Sequence, residues 1–230
     1  MNEPQNREAH LPDGLLLHVG CGPLVPDGWV NLDASWNLLA ARVPGLRRAL
    51  TAAGVITAQS AAHAWSGNIR YCDVTRGLPF ADGRAAVVYA SHVLEHLTRT
   101  QARAFLAESF RVLAPGGVIR LVVPDLQWMA RNYLQQKENA NINAADEFMR
   151  RLMTTPDYSK SSFVLKLYRS YLDTLSHKWM YDAASLTALM SDAGFRELSP
   201  RQYLDSRIPD VQAVERVSRF EDGICVEGVR

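Results

Sequence analysis

The run His18-Val19-Gly20-Cys21-Gly22, followed after a short gap by Trp29-Val30-Asn31-Leu32-Asp33, holds the residues whose types and spacing can do chemistry. Glycines accept backbone angles that other residues avoid and carry no Cβ, so a small ligand can approach the amides of such a loop closely. An acid ending the next strand then faces that ligand, and a carboxylate suits the ribose hydroxyls of an adenosine-containing cofactor. The third glycine of a dinucleotide fingerprint is absent, because Val25 stands where Gly or Ala is needed. The pattern therefore points to an adenosine-like ligand other than a dinucleotide.

Further along, Cys72-Asp73-Val74 offers a second acid, and Ser91-His92-Val93-Leu94-Glu95-His96 offers hydroxyl, imidazole and carboxylate within six residues. His92-Val93-Leu94-Glu95-His96 matches H-x-x-E-H, an inverted zinc-protease motif in which two histidines one helical turn apart bind zinc and the glutamate activates water. The motif here follows a strand rather than lying within a long helix, and nothing downstream singles out a third ligand. No metal site is assigned on these grounds.

These residues need elements to position them. Short apolar runs at Leu15 to Val19, Trp29 to Leu32, Ile69 to Cys72, Ala85 to Ala90 and Val118 to Val123 read as strands, with helical segments between them. That alternation predicts a Rossmann-like, doubly wound α/β fold on a mostly parallel sheet. Gln101 to Leu113 is expected to be helical, with Phe105, Leu106, Phe110 and Leu113 on one face and Pro115-Gly116-Gly117 ending it. Pro23, Pro26 and Gly28 leave no room for a full helix before Asp33, so a loop makes the first crossover. Residues 36–62 look like a broken helical excursion around Pro44 and Gly45.

Residues 126–176 form an expected helical cap over the substrate, rich in Trp128, Tyr133, Phe148, Tyr158, Phe163, Tyr168 and Tyr171 with interspersed arginine and lysine. A satellite core is the plainer role for those aromatics. A helix at Ala183 to Ala193 and a strand Ile224 to Glu227 close one domain over 13–230, behind a flexible leader of residues 1–12.

Taken in order, His18-Val19-Gly20-Cys21-Gly22, Asp33, Cys72-Asp73-Val74 with Leu78-Pro79-Phe80, Ser91-His92-Val93-Leu94-Glu95-His96 and Arg111-Val112-Leu113-Ala114-Pro115-Gly116-Gly117 resemble the motif series of class I S-adenosylmethionine-dependent methyltransferases. The resemblance covers residues 14–125, resumes at Trp179-Met180-Tyr181-Asp182, and is nearest to the type 11 group. It implies a seven-stranded sheet and S-adenosylmethionine as cofactor, with S-adenosylhomocysteine as product. By the same resemblance His18 and the Gly20-Cys21-Gly22 backbone border the methionine half, Asp33 holds the ribose, Asp73 takes the adenine amino group and the Val74 amide meets a ring nitrogen. Ser91 and His92 line the path to the acceptor, with His92 the first candidate base and His177 the second; Tyr181 and Asp125 are further candidates. Two other readings stand beside this one: a silent cofactor-binding scaffold, and the zinc hydrolase of the H-x-x-E-H motif.

The 25 Lys and Arg residues against 24 Asp and Glu leave no charge footprint for duplex nucleic acid or an anionic membrane. Three widely spaced cysteines argue against a disulfide framework, and neither a signal peptide nor an apolar span is seen, so a cytoplasmic enzyme is expected. The small basic surplus in the cap fits a small-molecule or sugar-like acceptor bearing negative charge. Oligomeric state is not legible.

Overall fold

Parallel strands buried on both faces read as continuous apolar runs rather than as alternations, and the central strands of this chain do so. The computed structural model describes residues 11–43, 45–52, 67–153 and 176–230. Its sheet comprises β1 (Leu15–Val19), β2 (Trp29–Asp33), β3 (Ile69–Tyr71), β4 (Ala85–Ser91), β5 (Leu113–Pro124), β6 (Arg196–Arg201) and β7 (Gly223–Val229), in the order β3-β2-β1-β4-β5-β7-β6. The first five strands pair in parallel, and β7 runs antiparallel to both β5 and β6. This is the expected Rossmann-like sheet of seven strands.

Leu17, Val19, Leu32, Val88, Ala90 and Leu121 form one face of the sheet, packed against two helices. Helix α3 (Arg99–Val112) supplies Ala102, Phe105 and Leu106, and α6 (Ala183–Asp192) supplies Leu186, Leu189 and Met190. Thr98 starts α3 with a capping box, accepting from the Gln101 amide while the Gln101 side chain accepts from the Thr98 amide. The expected helix therefore begins two residues earlier, and Leu113 belongs to β5 rather than to its apolar face. On the opposite face Val87, Tyr89, Val118 and Val122 pack against Ile208, Val211 and Val214, all from the β6–β7 connection.

No helix interrupts residues 20–28, as the prolines require. The excursion beyond Asp33 begins with α1 (Trp36–Ala41) and α2 (Leu46–Ala52); its remainder, 53–62, lies outside the described residues. The expected cap opens with α4 (Leu126–Glu138) and α5 (Ala144–Leu152), whose Tyr133 and Phe148 rings stand 5.2 Å apart. Tyr158, Phe163, Tyr168 and Tyr171 fall outside the described residues, as do residues 1–10 of the expected leader. Among the described residues no helix is long and apolar enough to cross a membrane.

Candidate active site

From β1 the sheet order runs outward to β2 and β3 on one side and to β4 and β5 on the other. Such a reversal opens a crevice beyond the carboxyl ends of the strands, where ligands of open α/β sheets bind. The carboxyl ends of β1, β2, β3 and β4 deliver Gly20 to Gly22, Asp33, Asp73, and Ser91 with His92 to that edge.

Gly20 and Gly22 both adopt positive φ, 66° and 56°. A Cβ on Gly20 would stand 2.3 Å from Val93 Cγ2, whereas at Gly22 a Cβ would meet nothing within 4 Å. The loop is thus pressed against the β4 exit on one side and open on the other, a cradle shaped for a ligand at the backbone. Asp33 fixes it in place. One carboxylate oxygen accepts from the Gly22 amide at 2.9 Å and the other from the Ser35 amide at 2.7 Å, with the residue 7% exposed. Each oxygen keeps a second lone pair, so the same carboxylate that ties the loop retains capacity for two hydroxyls.

Asp73 caps a 3-10 turn (Val74–Arg76), accepting from the Thr75 amide at 3.0 Å and its hydroxyl at 2.7 Å, and pairs with the exposed Arg76 at 3.3 Å. The segment after it is clamped to α3: Glu108 accepts from the Leu78 amide at 2.9 Å, and Arg111 donates to the Leu78 and Phe80 carbonyls. Arg111 beside it holds the Glu108 carboxyl down at about 2. Leu78-Pro79-Phe80 and Arg111, two of the motif segments, are therefore partners that position the second acid. Val74 packs partly buried against the main core.

His92 leaves β4 in the left-handed region at φ 56°, which is uncommon for a residue with a side chain, and its amide donates to the Val122 carbonyl at 2.8 Å. Its Nδ1 stands 3.2 Å from a Glu95 oxygen and its Nε2 3.3 Å from the Arg219 carbonyl. A neutral imidazole has one N–H for these two acceptors, so a base role requires the ring to give up one of them. Glu95 and His96 lie on a single 3-10 turn (Leu94–His96). The one-face α-helical spacing that the zinc-protease motif relies on is missing there.

His18 departs from its expected place beside the cofactor. Its ring is buried against Trp29 and Tyr89, with Nδ1 3.3 Å from Asn31 Oδ1, and desolvation holds its pKa down at about 4. Residues 17 and 19 face the helical side of β1, so residue 18 must face the other core. The Cys21 thiol is likewise turned inward, among Leu38, Ile69 and Val25, and burial pushes it up to about 12. Only the backbone of Cys21 remains for the loop's edge.

His177 is brought to Glu95 and His96, its ring 5.1 Å from that of His96, and desolvation lowers its pKa. The chain is pinned there by the Lys178 and Trp179 amides, which donate to the Glu95 carbonyl at 2.7 and 3.2 Å. Asp125 caps α4 through the Gln127 amide, and Tyr181 is buried beside it in an isolated bridge, its phenol pushed up to about 12 by desolvation. Sequence reasoning had no signal for the meeting of Glu95 and His96 with His177, because 81 residues separate the histidines. A cavity of about 320 Å³, lined by Arg201, Tyr203, Phe220 and Cys225 among others, opens at the same end of the sheet beyond β5.

Residues 17–121 match the family model of the methyltransferase domain. Among solved structures the chain is similar to a methyltransferase of Thermotoga maritima described as a possible histamine N-methyltransferase, at 15% identity over 98% of this chain and 86% of that one, with a TM-score of 0.48. It is also similar to an S-adenosylmethionine-dependent methyltransferase of Archaeoglobus fulgidus, at 13% identity over 94% and 86%, with a TM-score of 0.49. A chain from the complex of the Haloferax volcanii Trm112 activator with a methyltransferase is 14% identical over 96% and 86%, with a TM-score of 0.46. No curated protein matches the sequence significantly. Likeness at this level carries no substrate or partner over to this chain.

Proposed function

We propose that the chain is a class I S-adenosylmethionine-dependent methyltransferase whose acceptor is a small hydroxylated or glycan-like molecule, a reading supported by the methyltransferase-domain match over residues 17–121. The observation that carries the site assignment is the convergence of the Gly20 to Gly22 cradle, Asp33 and Asp73 on one edge of the sheet, beside its order reversal. In this reading the cradle borders the methionine half of the cofactor, Asp33 holds the ribose through its remaining lone pairs, and Asp73 and the Val74 amide take the adenine edge. The cofactor supplies an already activated sulfonium methyl.

What the chain adds is chiefly position. In-line alignment is worth up to roughly 7–11 kcal/mol in well-oriented systems, and a base adds about two to four orders of magnitude. Ser91 and His92 stand at the β4 exit where an acceptor would approach, and His92 takes its proton after leaving the Arg219 carbonyl. Glu95, 3.2 Å from Nδ1, then holds the ring and stabilises its protonated form. The cavity beyond β5 is bounded by Phe220, next to the Arg219 whose carbonyl approaches His92, and offers space for an acceptor. Helices α4 and α5 begin the cap of the substrate, and three free, buried cysteines accord with a reducing cytoplasm.

The test is release of S-adenosylhomocysteine with a panel of hydroxylated acceptors, nucleotide-linked sugars included. We expect His92→Ala to keep cofactor affinity and lower turnover by about 100-fold or more. Turnover unchanged in His92→Ala would remove the base from the mechanism, and turnover confined to amine or thiol acceptors would overturn the acceptor class.

A further inference from the structure

We infer that Glu95, His96 and His177 form a binding site for a divalent transition-metal ion. One ligand atom from each of the three lies within 4.8 Å of the other two, the separation at which a single ion can be shared. Glu95 is 0% exposed, yet neither carboxylate oxygen has a hydrogen-bond partner, and its near neighbour His92 makes only the 3.2 Å approach to one oxygen. His177 is 7% exposed, and its Nδ1 is also buried without a hydrogen bond.

A carboxylate taken out of water with its lone pairs unfilled costs several kcal/mol or more, and native folds keep such groups when something charged completes them. A metal ion does that for Glu95 and for His177 Nδ1 at once. His96 is held as metal-binding histidines commonly are: its Nδ1 is 3.3 Å from the Ser176 carbonyl, which leaves Nε2 for the ion. Two imidazoles and one carboxylate suit zinc, and also manganese or iron, better than magnesium or calcium. Three protein ligands leave a coordination position open, as in catalytic zinc sites.

The ligands differ from those of the inverted protease motif. His92 faces Glu95 from outside the trio, and the third ligand comes from the irregular segment 176–180, held by the Lys178 and Trp179 amides on the Glu95 carbonyl. Metal binding does not depend on the methyltransferase reading. The further suggestion that the ion acts as a Lewis acid beside the acceptor path does rest on that reading.

The test uses the full chain, stripped with chelator, titrated with Zn²⁺ by calorimetry and with Co²⁺ by visible absorption. We expect one equivalent to bind, with Co²⁺ bands of low coordination number. Glu95→Gln, which keeps the side-chain volume, and His177→Ala are each expected to weaken binding by at least the roughly 10–100-fold that loss of an outer-shell partner costs. Near-UV circular dichroism checks that both variants fold. No binding by the folded wild-type chain, or binding unchanged in folded Glu95→Gln, would overturn the site. S-adenosylmethionine titrated into the same samples reads the cofactor site separately, so a failed cofactor result leaves the metal result standing, and the reverse.

Discussion

Two of the buried charged clusters among the described residues are built differently. Arg120, on β5, is fully buried with Glu215 and Glu227, at 2.7 and 3.2 Å. Every group there is partnered: Arg120 also donates to the Asp205 and Gln202 carbonyls, Glu215 accepts from the Leu204 amide, and Glu227 accepts from Ser206 and the Arg207 amide. These contacts fasten the β6–β7 connection over the second core. Glu95 is as deeply buried, but with both oxygens lacking hydrogen bonds and two histidines turned toward it. Closed charge networks hold architecture together, and open ones are where a ligand or a proton has work to do.

The largest effect is expected where the closed network is broken. Arg120→Met leaves Glu215 buried without a counter-charge and Glu227 with only Arg207 at 3.9 Å, which should cost about 3–5 kcal/mol in urea unfolding. A smaller effect follows from His18, which is buried neutral. With a folded pKa of about 4 against 6.5 unfolded, the unfolded chain binds more protons between those values. Its stability contribution is therefore full above pH 6.5 and is lost as pH falls toward 4, by about 3 kcal/mol at most. His18→Gln should flatten the unfolding midpoint across that window, and an unchanged slope would show that His18 titrates normally in the fold.

Next comes the cradle. Gly20→Ala meets Val93 at 2.3 Å as well as an unfavourable φ, whereas Gly22→Ala meets only the φ. We expect the first to cost about 1–3 kcal/mol more in stability and to abolish cofactor binding, and the second to weaken binding moderately. Equal losses would mean that the close approach to Val93 does not shape the loop. The smallest loss belongs to the open cluster: Glu95→Gln, in chelator, should cost no stability and should raise it, because it removes a buried charge whose oxygens accept no hydrogen bond. A loss as large as that of Arg120→Met would erase the contrast between the clusters.

The strands were legible because parallel strands in a covered sheet are apolar along their whole length; β1 occupies the expected Leu15–Val19. β6 was not, because Arg196 to Arg201 is a largely exposed edge strand interrupted at Glu197, whose φ is 50°, and so carries no apolar period. The positions of the glycine loop and both acids could be read since each stands at or just past the end of a strand. What the chain does not spell out is side-chain direction and distant juxtaposition. The parity that turns His18 into the second core depends on which face β1 presents, and the meeting of His96 with His177 depends on the Lys178 and Trp179 amides that dock on the Glu95 carbonyl.

The most direct measurement is calorimetric titration of S-adenosylmethionine into the full chain, beside Asp33→Asn and Asp73→Ala. Binding in the micromolar range, weakened at least about tenfold in each variant, is the expected result and would locate the cofactor at the ends of β1, β2 and β3. Binding absent from the folded wild-type chain, or undiminished in both variants, would contradict the account.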